Sequence, residues 1–230
     1  MTQLAHALQT VRDSLAAAAT AAGRSPDEVT LLAVSKTFPA EAIREAYAAG
    51  QRAFGENYVQ ELATKAQQLA DLAIEWHFIG PLQSNKTRPV AEVAHWVHSI
   101  ERLKIAERLS AQRPAGMPPL NVCVQVNVSG EDSKSGCELA EAPALLRAVA
   151  ALPQLRLRGL MCIPEPTPDT ALLAARFGVL RQLQQQMAAE GMQLDTLSMG
   201  MSADMAQAVA AGSSMVRVGT AIFGARHYPA

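Results

Sequence analysis

The stretch "LNVCVQVNV" (residues 120–128) alternates two kinds of residue with a period of two. Leu120, Val122, Val124, Val126 and Val128 share one face, and Asn121, Cys123, Gln125 and Asn127 share the other. Successive side chains of a strand point to opposite faces, so one side of this strand is wholly apolar and the other mostly polar. Helices packed on the apolar side would turn the polar side into the interior of a closed barrel. A polar interior is unusual for a purely structural core and points to function near Asn127.

On both sides of this strand the chain alternates between strand-like and helix-like segments. Strand candidates are VTLLAVSK (29–36), RAFGE (52–56), IEWHFIG (74–80), HWVHSI (95–100), LRLRGLMCI (155–163), DTLSMG (195–200) and MVRVG (215–219). Each leads into a helical stretch, such as the one carrying Val59, Leu62, Ala66 and Leu69 on a single stripe. With 120–128 this makes eight βα units, the number that closes a (β/α)8 barrel, for which roughly 250 residues is typical. A doubly wound open sheet is the alternative. An extra helix precedes the first strand, with Leu4, Leu8, Val11 and Leu15 at helical spacing and Gly23 as its stop. The PEPTP run (164–168) reads as a βα loop, so residues 1–230 are expected to form one α/β domain.

The bulk numbers narrow the function. The formal net charge is -1 with no lysine- and arginine-rich block, which argues against the basic stripe that nucleic-acid binding needs. Cys123, Cys137 and Cys162 are odd in number and lack close ligand spacing, so neither a disulfide framework nor a zinc site is expected, and a reducing cytoplasm fits. The run LAAAATAA (15–22) is mostly alanine, has no basic region before it, and reads as a surface helix rather than a signal peptide. No stretch approaches the roughly 18 consecutive apolar residues of a membrane span.

Barrel sites gather at the C-terminal ends of the strands. Here those ends offer Ser35 and Lys36, Glu56 and Asn57, His77 and Gly80, Asn127, Met161 and Cys162, Ser198, and Arg217 with Gly219. The loops "SMGMSADM" (198–205) and "RVGTAIFG" (217–224) each join a late strand to a helix. Their glycines allow close backbone approach, Ser202 and Thr220 offer hydroxyls, and helix N-termini present amide donors, all of which suit a phosphate. Barrel phosphate sites often lie after strands seven and eight. Lys36 shares a face with Leu32 and Val34, which by itself leaves inside and outside open. A strand-end lysine is most often a solvated charge, but opposite a phosphate cradle it becomes a candidate Schiff-base nucleophile. Two ligand classes satisfy that arrangement: a sugar phosphate handled in aldolase fashion, or pyridoxal 5'-phosphate.

The motifs AVSKTFP, FGENYVQE, WHFIGPLQSNK, VQVNVSGEDSKSG, LRGLMCIP and LSMGMSADMAQAVAAGSSMVRVGTAIFGAR occur in that order over nearly the whole chain. Together they resemble the pyridoxal phosphate homeostasis protein family. The resemblance implies a single barrel like the N-terminal domain of alanine racemase, with pyridoxal 5'-phosphate held as a Schiff base on Lys36. It further implies Ser198, Gly200, Ser202, Gly219 and Thr220 around the phosphate, Asn57 by the ring, and Arg217 at the pyridine nitrogen. His77 and Met161 are pocket-wall candidates, although a satisfied core histidine is an equal reading of His77. Lys134, in "SKSG", is a looser second contact that also suits an ordinary exposed loop.

The choice between carrier and enzyme turns on the same residues. An arginine against the pyridine nitrogen does not give up its proton near neutral pH and weakens the ring as an electron sink, although racemases with this barrel manage it. Racemases also need an opposing tyrosine base from a further domain. Of Tyr47, Tyr58 and Tyr228, the first two are expected on helices and the third lies near residue 230, so none is an obvious replacement. The expectation is a non-catalytic, cytoplasmic, monomeric carrier or regulator of pyridoxal 5'-phosphate, with a racemase-type enzyme as the alternative. Its expected partners are B6 vitamers and, transiently, apo-enzymes that take up the cofactor.

Overall fold

The computed structural model describes residues 2–130 and 135–225. Eight strands run through them: β1 (Thr30–Val34), β2 (Ala53–Glu56), β3 (Glu75–Phe78), β4 (Trp96–Ile100), β5 (Leu120–Gln125), β6 (Leu155–Met161), β7 (Thr196–Ser198) and β8 (Met215–Val218). Every neighbouring pair is parallel, and β8 pairs back onto β1, so the sheet closes into a barrel in simple sequence order. The helices are α1 (Gln3–Ala21), α2 (Ala40–Ala48), α3 (Val59–Gln68), α4 (Thr87–Val93), α5 (Leu103–Gln112), α6 (Ala142–Ala150), α7 (Thr170–Ala189), α8 (Met205–Ala210) and α9 (Thr220–Phe223). The expected (β/α)8 barrel with an additional N-terminal helix is the observed architecture.

Strand alternation divides the core into two layers. Val122 and Val124 join Phe54, Val97, Leu160 and Val216 between the strands and the helices. Cys123 instead joins Leu32, Val34, Ala53, Ile79, Trp96, Met161 and Met215 inside the barrel. The faces of the fifth strand are therefore as its alternation implies. Burying each aliphatic or aromatic side chain contributes about 1.5–3 kcal/mol, so both layers hold the barrel together. Helix α1 buries Leu8, Val11, Leu15 and Ala19 on one stripe, against α2, α8 and α9. Its first turn is capped by the Thr2 hydroxyl, which accepts from Ala5 N at 3.2 Å, and the chain leaves it through Gly23 at φ +69°.

The strands stop earlier at their C-terminal ends than their sequence pattern implies. Strand β5 ends at Gln125, with one more bond from Val126 N to Met161 O (2.9 Å), and Asn127 turns the chain by accepting from Ser129 N (3.2 Å) and Gly130 N (3.1 Å). Likewise the seventh strand ends at Ser198 rather than at Gly200. Residues beyond the last ladder bond keep an extended pattern but form the loops of the rim. No helix among the described residues is long and apolar enough to cross a membrane. Cys123, Cys137 and Cys162 are buried free thiols, and no metal-binding group of His, Cys, Asp and Glu occurs among the described residues.

Candidate functional site

The site is assembled from the loops that leave the strands at the C-terminal rim. After β1 the ladder continues for one more bond, from Ser35 N to Gly55 O at 2.9 Å. Leu32 and Val34 face the barrel interior, and half-buried Lys36 follows Ser35 in the turn that leaves β1.

The backbone on either side of Lys36 is clamped from α3. Lys65 Nζ donates to Ser35 O (2.9 Å), to Glu56 Oε1 (2.8 Å) and to Glu61 Oε2 (2.7 Å). Glu61 Oε2 in turn accepts from Thr37 N at 2.8 Å. Thr37 has φ 67°, a conformation that a β-branched residue adopts only when its surroundings impose it. The Ser35 hydroxyl donates to Glu56 Oε1 at 2.6 Å. Burial pushes the Glu56 carboxyl up to about 7, against the pull of Lys65 and Ser35. Phe38 stacks on Phe223 of α9 at 5.2 Å, tying the Lys36 loop to the loop after β8.

Arg217 projects into the interior from β8, where its register partner on β1 is Leu32. Its Nη1 donates to Ser198 Oγ (2.8 Å) and its Nη2 to Cys162 O (2.9 Å). A guanidinium has five N–H donors, and among the described residues no carboxylate pairs with this one. Burial lowers its pKa, but arginine remains a cation near neutrality. A buried cation with unused donors fits a ligand that brings an acceptor atom.

The loops after β7 and β8 build the adjoining wall. Gly200 sits at φ +100°, and a Cβ there would lie 2.6 Å from Ala208 Cβ, so glycine is required. Its carbonyl accepts from Arg217 N at 2.9 Å. Gly219 lies against β1, where an added Cβ would meet Val34 O at 3.1 Å. Ser202 and Thr220 are exposed on this wall. Thr220 opens α9, whose first amides have no acceptor within the helix.

The expected residues divide into groups. Lys36, Asn57, Gly200, Ser202, Gly219 and Thr220 lie on the rim, and Arg217 lies just below it. Asn57 is half-buried after β2, with its backbone so close to Gly80 that a Cβ on Gly80 would lie 2.1 Å from Asn57 O. Ser198 is fully buried, and its hydroxyl is held between Arg217 and His98 Nδ1 (2.7 Å), so it acts on the arginine from below. Met161 is fully buried in the interior cluster. His77 is the satisfied core histidine: fully buried, stacked on Trp96 at 5.4 Å, with both ring nitrogens bonded. Lys134 lies outside the described residues, as does Tyr228. Tyr58 precedes α3 rather than lying within it, and it stands exposed on the rim beside Asn57.

Three participants escaped the sequence reading. Lys65 sits at the helical spacing of Leu62 and Leu69, a stripe position where a lysine is out of place, and Glu61 lies one turn before it. His98 follows Trp96 at strand period, on the same inward face.

Residues 7–227 match the family model for the alanine racemase N-terminal domain. The pyridoxal phosphate homeostasis protein of Pseudomonas aeruginosa is 60% identical over 230 residues, covering 100% of this chain and 99% of that protein. Its Escherichia coli K12 counterpart is 58% identical over 236 residues, with 99% of each chain covered. Among solved structures, PipY of Synechococcus elongatus with pyridoxal phosphate bound superposes with a TM-score of 0.83 at 40% identity, over 96% of this chain and 100% of that one. Alanine racemase of Corynebacterium glutamicum shares the fold at 18% identity and a TM-score of 0.69, over 97% of this chain and 61% of the racemase. By its sequence and its barrel, the chain belongs to the alanine racemase N-terminal domain family and, within it, to the pyridoxal phosphate homeostasis proteins.

Proposed function

We infer that this chain binds pyridoxal 5'-phosphate at the barrel rim, holds it on Lys36 as a Schiff base, and serves vitamin B6 homeostasis by storing and handing over the cofactor. The observation that carries this reading is the buried guanidinium of Arg217 on β8, next to the strand β1 whose exit turn carries Lys36. Arg217 is in register with Leu32, an interior residue four positions before Lys36.

When bound, the cofactor supplies an aldehyde, an electron-withdrawing ring and a phosphate. Lys36 would hold the cofactor through its amine nitrogen, placed at the aldehyde carbon. Arg217 donates to the ring nitrogen and keeps it unprotonated. Ser202, Thr220 and the first amides of α9 bind the phosphate, with Gly200 and Gly219 shaping the wall. Asn57 packs beside the ring. The relatives' shared name supports a homeostatic role. We further expect a monomer in a reducing cytoplasm, binding other B6 vitamers and meeting apo-enzymes transiently.

Borohydride treatment of the loaded protein, followed by peptide mapping, is the direct test. A pyridoxyl adduct on Lys36, and loss of the visible band in Lys36→Ala, are expected. An adduct elsewhere overturns the assignment, and a featureless spectrum returns the sugar-phosphate reading. Among the described residues, exposed Tyr58 beside Asn57 is the rim group that favours a racemase-type enzyme. Turnover of D- or L-amino acids that disappears in both Lys36→Ala and Tyr58→Phe would overturn the carrier role.

A further inference from the structure

A chain of hydrogen bonds crosses the barrel interior from its N-terminal mouth to Arg217. Arg217 Nη1 donates to Ser198 Oγ (2.8 Å), and Ser198 Oγ meets His98 Nδ1 (2.7 Å). His98 Nε2 meets His77 Nδ1 (2.9 Å), and His77 Nε2 meets Glu75 Oε1 (2.8 Å). The members come from β8, β7, β4 and β3, so the chain exists only because the barrel is closed.

With both buried rings neutral, as burial holds them, the two ends fix the direction of every bond between them. A guanidinium only donates, and an ionised carboxylate only accepts. The hydrogen bond from His77 holds Glu75 below the usual carboxylate range, so it is ionised near neutrality. Each intermediate group must then accept on the arginine side and donate on the glutamate side. The Ser198 hydroxyl donates to His98 Nδ1, His98 Nε2–H donates to His77 Nδ1, and His77 Nε2–H donates to Glu75. Each neutral ring therefore carries its single proton on Nε2.

We propose that His98, supported by His77 and Glu75, is a positioning residue for Arg217: it draws the Ser198 hydroxyl proton away, so that Ser198 offers the guanidinium a lone pair and holds it toward the cofactor's ring nitrogen. This rests on the reading that pyridoxal 5'-phosphate binds with its ring nitrogen at Arg217. The charged and titratable surroundings agree. His98 faces His77 and Arg217, and burial, followed by those two neighbours, holds it well below an ordinary histidine. His77 faces Glu75 and His95, and burial lowers it more than Glu75 raises it. Arg217 faces Cys162, Asp204 and Cys123. Burial pushes both thiols up to about 12, so they stay neutral.

The first test needs no cofactor. Nitrogen-15 correlation spectra of the histidine rings in the apo protein should show both His77 and His98 as neutral Nε2–H tautomers near neutral pH. An Nδ1–H tautomer or a charged ring at either position overturns the directed chain. The second test follows the visible band of the loaded protein with pH. A loosened Arg217 lets the ring nitrogen protonate, which withdraws electrons and lowers the pKa of the Schiff base. His98→Leu should lower that midpoint by about one pH unit, a tenfold change in proton affinity. His98→Gln, whose amide accepts from Ser198 and donates to His77, should restore it to within about 0.3 unit. Ser198→Ala cuts the same link without touching the histidine packing, should match His98→Leu, and decides the matter if that variant fails to fold. Equal midpoints in His98→Leu, His98→Gln and the unaltered protein overturn the proposal. Failure of the unaltered protein to take up cofactor would sink the binding reading instead, and the tautomer result would still stand.

Discussion

At Glu56 a carboxyl group is fully buried on the outer face of β2, with one oxygen bonded to Ser35 and Lys65 and the other, Oε2, without a partner. Burial raises its pKa from 4.5 to about 7. The folded protein thus keeps a proton that the unfolded chain gives up near 4.5. The contribution of Glu56 to stability is full below that pH and is lost as the pH rises through about 7. At 1.36 kcal/mol per unit the swing is at most about 3 kcal/mol. Denaturant unfolding at pH 5 and pH 8 should show a steeper loss for the unaltered protein than for Glu56→Gln, and parallel pH dependence would refute the assignment. Lys65→Met leaves that carboxyl without its cation and should destabilise the fold by about 3–5 kcal/mol. Glu56 was visible in the sequence as a strand-end residue. Lys65 was not, because helical periodicity reports which residues face inward and says nothing of a polar partner waiting there.

At the scale of the element, the close approaches at the strand ends decide what the rim tolerates. A methyl group on Gly80 would sit 2.1 Å from Asn57 O, so the backbones after β2 and β3 would have to separate. Gly80→Ala should therefore destabilise the protein by roughly 3 kcal/mol and weaken cofactor retention through Asn57. Gly116→Ala is the control, since nothing lies within 4 Å of its position, and its change should stay within about 0.5 kcal/mol. Denaturant midpoints and bound-cofactor absorbance check both. Equal effects at the two glycines would mean that the contact with Asn57 does not matter. All eight strands were legible as elements, because period two and the breaks between apolar runs are local signals. Their C-terminal ends were not, since Asn127 and Val128 continue the alternation after the last bond to the neighbouring strand, from Val126 N.

At the scale of the whole molecule, closure between β8 and β1 is what brings the loops of residues 198–205 and 217–224 beside Lys36. Removing both wall hydroxyls, Ser202→Ala with Thr220→Ala, should weaken pyridoxal 5'-phosphate affinity at least tenfold, since a hydrogen bond to a charged group contributes about 1.5–3 kcal/mol. Lys134→Ala should change it less. Equal losses in equilibrium titrations would count against the phosphate wall.

The order of elements, the two faces of each strand, the glycine-bearing loops and the lysine after the first strand all follow from local periodicity, and the sequence by itself determined them. Only the tertiary structure decided that Leu32 and Val34, the strand residues just before Lys36, face inward, because a strand's alternation does not say which face closes on the axis. It also decided that His98 meets Ser198 across 100 residues of chain, and that Lys65 reaches the backbone beside Lys36. Those contacts depend on strand register and barrel closure, which juxtapose side chains across the interior and leave no repeat in the sequence to read.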